Sequence, residues 1–412
     1  MRIRILMIGM LLCIHPFYAH AVTLKAAMDA AVEQHPMLTI SKMQIDGAQG
    51  ELQEQGSYAY NPELSVEPQR RKLNGGGSSN DYYITLSQGI ELGGKWGYRE
   101  QSAEAALEAT RLESGINLQR VKVNVARALV AVYFSKRELL WRNQQSLTLM
   151  QLNKAVQRQM DVGEASQLDV NLAHASLTQA INAEAQAKQQ HAMNVSRYFL
   201  AVGKTSEIKN VEPELPRLLV GWGPQSDPVE IALNSRLDIA AKHKRLAQYS
   251  AQADLAKANK VPDLTVGFTT GRETGDRLYS LGFTMPIPVL NSHDGAYRAA
   301  LSQESVKRTE LAWLEQQVKL EVQEAAYNHA TAMRAVLSVN RIETDTPTPD
   351  SIDLAKAAFD AGELNIEELV VHINQILESR INSAAILKQG WLARIRLAEV
   401  LGHPEYILQG TQ

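Results

Sequence analysis

The sequence predicts a mainly helical protein carrying transmembrane β-structure, built from two copies of one unit in which long antiparallel helices bracket a β-hairpin. Three observations predict it. The halves of the 412-residue chain align on each other at an offset of 199 or 200 residues, each half holds a pair of alternating segments, and long stretches of helical composition follow each pair. Aromatic residues make up 6% of the chain, thin for two packed globular cores. The Ala-, Gln-, Leu- and Glu-rich stretches 97–200 and 295–400 have the composition of helices packed side by side. A formal charge of −3 and a pI near 6.4 leave no basic face for a nucleic-acid partner.

The first element is a leader, domain 1–21. Arg2 and Arg4 precede an apolar run from Ile5 to Ile14, and Ala19-His20-Ala21 is a small-x-small site, which predicts cleavage after Ala21 and export. The run is short of the ~20 residues a spanning helix needs. Cys13, the only cysteine, lies within the leader and follows Leu12, so a lipoprotein site is not expected. The mature chain then has no thiol for disulfides, metal ligation or nucleophilic catalysis. Its formal charge becomes −5 once the two arginines are removed.

Pro62-Glu63-Leu64-Ser65-Val66 matches Pro262-Asp263-Leu264-Thr265-Val266, Gly163-Glu164 matches Gly362-Glu363, Gly203 matches Gly402, and Arg197 matches Arg396. A duplication accounts for all of these. The expected boundaries are 22–210 for the first unit, 211–228 for a linker, 229–404 for the second unit and 405–412 for a short tail. Each unit should run helix, two strands, very long helix, sharp turn, return helix.

Strands are expected at about 62–73, 80–91, 262–271 and 277–288. Leu64, Val66 and Pro68 alternate with Glu63, Ser65 and Glu67; Tyr82, Ile84 and Leu86 alternate with Tyr83, Thr85 and Ser87. Tyr279, Leu281, Phe283, Met285 and Ile287 form the apolar set of the last strand. A membrane barrel strand, apolar toward lipid and polar toward a lumen, needs this pattern; a half-buried soluble hairpin gives it too. The helices favour the barrel. From Gly97 to Met160 no proline intervenes and Val121, Val125, Ala128, Val132 and Leu139 recur at helical spacing, predicting a rod of roughly 95 Å. Such a rod suits an aqueous compartment that must be spanned; a soluble coiled coil is the competing reading. Four strands cannot close a barrel, and sheet edges cannot stay open in lipid, so several chains must share one. Three would give twelve strands, with the helices gathered into a tube below.

With the leader, the duplication and the strings LSQGIELGGKWG and FTMPIPVLNSHDGAYRAA after the two hairpins, the chain resembles the TolC-like outer membrane factor family over almost its whole mature length. The Gly-Glu turns in DVGEASQLDV and DAGELNIEELV look like that family's helical-hairpin tips. The second return segment is preceded by ETDTPTPDS, where Pro347 and Pro349 interrupt the helix, a break similar to that of the heavy-metal (CzcC-like) efflux branch. The resemblance implies a homotrimer with a twelve-stranded barrel in the outer-membrane lipid and a periplasmic α-barrel. It also implies a periplasmic adaptor and an inner-membrane resistance-nodulation-division transporter as partners, and a passive, gated exit duct for heavy-metal cations. The alternatives are a drug-efflux or type I secretion channel of the same family, or a soluble periplasmic coiled-coil adaptor or scaffold.

The resemblance also names site residues. Acidic residues two turns past each tip narrow the family's entrance, and the matching positions are Asp169 and Glu368, with Glu367 and His372 nearby; a further acidic position of some members is Val371 here. Solvated helix-surface charge is the competing reading for these carboxylates. Gly163, Glu164, Gly362 and Glu363 are the adaptor-contact candidates. Gly89 to Lys95 fits the start of a phosphate-binding loop, but Trp96 stands where Ser or Thr is needed for magnesium, so the glycines are read as the exit from strand to helix. His35, His174, His191, His243, His293, His329, His372 and His403 are scattered, without an i, i+4 histidine pair or a cysteine partner. No metal site, cofactor or catalytic constellation is expected, and the chain is not read as an enzyme.

Overall fold

The computed structural model describes residues 21–72, 75–204, 211–218, 223, 226–345 and 351–409. The leader up to His20 and the helix-interrupting Pro347 and Pro349 lie outside the described residues. In chain order the first unit comprises β1 (Val22–Thr23), α1 (Leu24–Gln34), α2 (Pro36–Gln55), β2 (Glu63–Lys72), β3 (Ser78–Ile90), α3 (Lys95–Asp161) and α4 (Gln167–Val202). After β4 (Pro213–Glu214) come α5 (Pro228–Ser235), α6 (Leu237–Ala258), β5 (Leu264–Glu273), β6 (Asp276–Thr284), α7 (Asp294–Asp345), α8 (Ser351–Asp360) and α9 (Ile366–Val400), then a 3₁₀ turn at Pro404–Ile407.

The long rod is α3, whose 67 residues extend ~100 Å. It is a spine against which α2 and α6 pack near the strands and α4 and α9 pack toward the far end. The single opening helix expected for each unit is in fact two. Pro36 disfavours helical backbone at His35, which adopts φ −72°, ψ 124° and caps α2 by accepting the Met37 N–H on Nδ1 at 3.1 Å. Arg236 takes the same conformation without a following proline, its guanidinium held by Asp238 at 2.6 Å and Glu321 at 3.0 Å. The ends of the return helices abut these breaks. A Cβ on Gly203 would sit 2.7 Å from the His35 Cα, and one on Gly402 would sit 3.3 Å from the Arg236 Cα. Thus α4 with α2, and α9 with α6, form composite rods jointed at mid-height.

Apolar packing is divided along the spine. Leu24, Val125, Leu129, Val130, Val195 and Ile395 belong to the central cluster, where α1, α3, α4 and α9 meet. Leu149, Val156, Ala173, Leu369 and Ile373 form a second cluster near the far end. A third joins α5, α7 and α9 through Ala232, Val318 and Leu397. The buried Arg394 guanidinium reaches the backbone carbonyls of Tyr406 and Gln409, fastening the chain's last described turn onto α9. β1 and β4 pair in parallel and tie the start of the first unit to the segment between the units.

In the second unit α7 extends to Asp345 and α8 begins at Ser351, ahead of the second tip, and the interruption expected at Pro347 and Pro349 falls between them, outside the described residues. Strands β2, β3, β5 and β6 form one antiparallel sheet in that order. Thr274 (φ 52°) and Gly275 (φ 100°) turn β5 into β6 with the two positive-φ residues a tight hairpin prefers. β6 ends at Thr284, short of the 288 expected from alternation. Its neighbour β5 pairs only from Thr265, opposite Thr284, so nothing on that side continues the ladder.

Candidate functional site

The sheet has two unlike faces. Across the strands one row reads Leu64, Leu86, Phe268, Leu281, and the next reads Val66, Ile84, Thr270, Tyr279. Leu64 and Leu281 are 68% and 62% exposed. On the other face the corresponding row is Ser65, Thr85, Thr269, Ser280, with the Thr85 and Thr269 hydroxyls 2.8 Å apart. In the next row Ser87, Gly267 and Gly282 are small, and Glu63 on β2 carries a charge. An exposed apolar face backed by a hydroxyl-lined one is the wall of a membrane barrel, lipid outside and water inside. From Tyr82 to Ile90, β3 covers about 27 Å, close to the height of a lipid-facing band. Tyr58, Tyr60 and Trp96 are exposed at its base, as interfacial aromatics are. Among the described residues no helix is long and apolar enough to cross a membrane. Among the described residues the outer edges of β2 and β6 lack partner strands.

Where the sheet meets the helices, Asp263 fastens the first unit to the second. It accepts from Lys95 Nζ at 2.6 Å, Leu92 N–H at 3.0 Å and Tyr60 Oη at 2.7 Å. Burial pushes its carboxyl up, but the Lys95, Leu92 and Tyr60 bonds outweigh that and hold it below the usual carboxylate range. The same contact raises the Tyr60 phenol. Lys95, the lysine of the phosphate-loop-like string, is thereby committed to an ion pair. Gly93 and Gly94, at φ 78° and 74°, make the turn into α3.

At the far end the two tips repeat each other down to individual hydrogen bonds. Gly163 (φ 84°) donates to Met160 O at 2.9 Å and Glu164 to Gln159 O at 2.8 Å; Gly362 (φ 78°) donates to Phe359 O and Glu363 to Ala358 O at the same distances. These are Schellman endings, and open space surrounds both glycines. The return helices start with matching capping boxes. Ser166 Oγ accepts the Asp169 N–H at 3.2 Å while Asp169 Oδ2 accepts the Ser166 N–H at 2.8 Å, and Asn365 and Glu368 exchange the equivalent pair at 2.9 Å each. The hydroxyl and backbone N–H of Ser166 hold the Asp169 carboxyl below its ordinary value.

Of the constriction candidates, Asp169 and Glu368 therefore occupy the N3 positions of their helices, and the apolar cluster beside them, with Val170, Leu369 and Val370, brings the first turns of α4 and α9 together. Glu367, Glu368, Val371 and His372 are exposed on α9. The hairpins are tied by Gln145 to Asn374 at 2.8 Å and Arg142 to Glu378 at 3.1 Å. Gly163, Glu164, Gly362 and Glu363 are exposed at the tips, where sequence reasoning overlooked the exposed Val162 and Leu168 flanking the first turn. The patterns Ser-x-x-Asp and Asn-x-x-Glu were the available signal for the caps. Among the described residues no group of His, Cys, Asp and Glu is disposed to hold a metal ion. His35 is a helix cap, and His191 hydrogen-bonds Ser135 Oγ at 3.1 Å, its pKa lowered by burial and by Lys136.

A family model described as outer membrane efflux protein matches residues 27–203 and 229–403, the two units in turn. No curated protein matches the sequence. Solved structures do match in fold. A structure of CusC, described by the conformational changes accompanying folding and transmembrane channel formation, is similar at a TM-score of 0.76 and 15% identity over 92% of each chain. A membrane protein from Pseudomonas aeruginosa is similar at a TM-score of 0.76 and 19% identity, over 92% of this chain and 90% of that one. The open state of the Neisseria gonorrhoeae MtrE outer membrane channel is similar at 0.73 and 14%, over 92% and 89%.

Proposed function

The chain belongs to the outer membrane efflux protein family, and on that premise we propose that three copies form a passive, gated duct carrying heavy-metal cations out of the cell. Localisation in the outer membrane with extension into the periplasm follows from the family. The observation that carries the duct reading is the four-stranded sheet, apolar on one face, hydroxyl-lined on the other and open at both edges, set on a spine of ~100 Å. Three sheets give twelve strands and leave no edge in lipid. In this reading the leader is removed after Ala21, the units are 22–210 and 229–404, and 211–228 links them.

The tips at Gly163–Glu164 and Gly362–Glu363 would meet a periplasmic adaptor, and an inner-membrane resistance-nodulation-division transporter would supply the energy. Asp169, Glu367, Glu368 and His372 would ring the entrance, so that three-fold repetition concentrates carboxylates where cations pass. The heavy-metal assignment is supported by the proline-bearing string ETDTPTPDS ahead of the second tip, which is similar to that of the heavy-metal efflux branch.

The test is single-channel conductance of detergent-purified protein, with its mass measured in parallel. Trimers with a small cation-selective current that rises in Asp169→Asn or Glu368→Gln support the gated duct. Water-soluble monomers without conductance would replace it with a periplasmic scaffold. Cells lacking the protein should retain metal; retention of dye with normal metal content would move the cargo to the drug class.

A further inference from the structure

We propose that residues 285–289 are the unfinished end of β6, completed only when a second copy of this chain lays its β2 alongside. Val289 then lies opposite Leu64, Ile287 opposite Val66 and Met285 opposite Pro68 of that copy. The inference rests on the shared-barrel reading above and specifies how two copies join.

The chain contains its own template for the joint. β2 corresponds to β5 at an offset of 200, and β3 corresponds to β6 at 199, because Ser65 pairs with Thr85 as Thr265 pairs with Thr284. The internal β3–β5 boundary places Leu86 opposite Phe268, Gln88 opposite Val266 and Ile90 opposite Leu264. Shifting each partner by its offset gives the three pairings proposed. In the first unit β3 runs past the end of β2, whose last pair there is Glu63 with Ser87, because β5 covers its other side as far as Ile90. The equivalent stretch of β6 has nothing on that side. It is left as a bare apolar segment in which Ile287, Val289 and Leu290 are 79%, 81% and 99% exposed.

The prolines agree with this pairing. The Gly89 carbonyl accepts from Tyr58 Oη at 3.1 Å, so the polar groups of Gly89, and by alternation of Ser87, face away from β5. Their counterparts are Pro288 and Pro286. These would face β5 beyond its last pair, where a missing N–H breaks no ladder bond. Met285 and Ile287 keep theirs for the incoming strand, and the Val289 N–H, which in the lone chain closes a turn onto the Ile287 carbonyl at 2.9 Å, exchanges that bond for the intermolecular one. Pro68 has none, so the pair opposite Met285 retains one of its two bonds.

A charged contact transposes as well. Tyr60 and Lys95 serve Asp263 inside the chain, and their counterparts are Lys260 and Asp294, with Glu63 of the second copy in the place of Asp263. Lysine has moved from one position to the other, leaving one ammonium at each joint. Lys260 already stands at the exposed edge, 2.5 Å from Asp294.

The experiment pairs Leu64→Cys with Val289→Cys in the full chain, oxidised in detergent and run on a non-reducing gel. Within one chain these positions sit on opposite edges of the sheet, three strand spacings or about 14 Å apart, beyond disulfide reach. Covalent dimers and trimers that collapse on reduction are expected, with at least tenfold less product from Val66→Cys with Val289→Cys and none from either single variant. A trimeric particle that fails to cross-link, or that links 66 to 289 in preference, overturns this joint and leaves the barrel reading intact. A monomeric particle overturns both. Glu63→Lys and Lys260→Glu should each lower the trimer fraction, and the double exchange should restore it; failure of that rescue removes the ionic contact.

Discussion

Gly203 and Gly163 share a left-handed backbone yet differ in surroundings, which separates strain from contact. Alanine at Gly163 meets nothing within 4 Å and should cost about 1–2 kcal/mol of backbone strain. Alanine at Gly203 adds a collision with the His35 backbone, so its thermal unfolding by circular dichroism should fall well below that of Gly163→Ala. His329 on α7 offers a test in pH. Burial, with Arg394 nearby, lowers its pKa to about 4, so the folded protein resists protonating it while the unfolded chain takes up the proton near 6.5. The stability this preserves is complete above pH 6.5, declines as pH falls from 6.5 toward 4, and changes no further below. The loss is on the order of 3 kcal/mol, and His329→Gln should flatten that part of the melting curve. The roles of Asp169 and Glu368 show why site residues were harder to read than the fold. Their spacing from the tip glycines suits a pore lining and a capping box equally; Ser-x-x-Asp and Asn-x-x-Glu signal the cap in sequence, and the hydrogen bonds to Ser166 and Asn365 establish it.

At the scale of elements, the caps decide where the return helices begin. Ser166→Ala and Asn365→Ala should each destabilise the first turn of the return helix by about 0.5–2 kcal/mol, visible as faster amide exchange confined to that turn. Unchanged exchange would mean that packing of Leu369 and Val170 holds those turns without help. The hairpins and the α3 spine were legible because period-2 and helical patterns persist over many residues. The joint at His35 had a signal in Pro36, whereas Arg236 makes the same joint through ion pairs to Asp238 and Glu321 that no local pattern announces. Within one chain β6 stops short of the expected 288 for a different reason: alternation records which side faces lipid, but a strand also needs a neighbour, and beyond Thr284 the described residues supply none.

For the whole molecule, the two faces of the sheet should respond oppositely to the same charge. Phe268→Arg places a cation in the middle of the apolar row and should cost about 2–4 kcal/mol per chain, seen as loss of the SDS-resistant oligomer. Thr269→Arg, one residue along and facing the hydroxyl row, should leave the oligomer intact and alter conductance instead. The unpaired edges of β2 and β6 also constrain the order of assembly. A lone chain can complete its helical spine in water, since α3, α4 and the composite rods draw their contacts from the same polypeptide. It cannot enter the bilayer by itself without exposing unpaired backbone to lipid. On the shared-barrel reading, insertion is a collective step whose rate depends on how often chains meet, whereas helix formation is first-order in the single chain. A cell making too little of this protein would accumulate folded spines with no pore, and the output of pores would rise more steeply than the supply of chains.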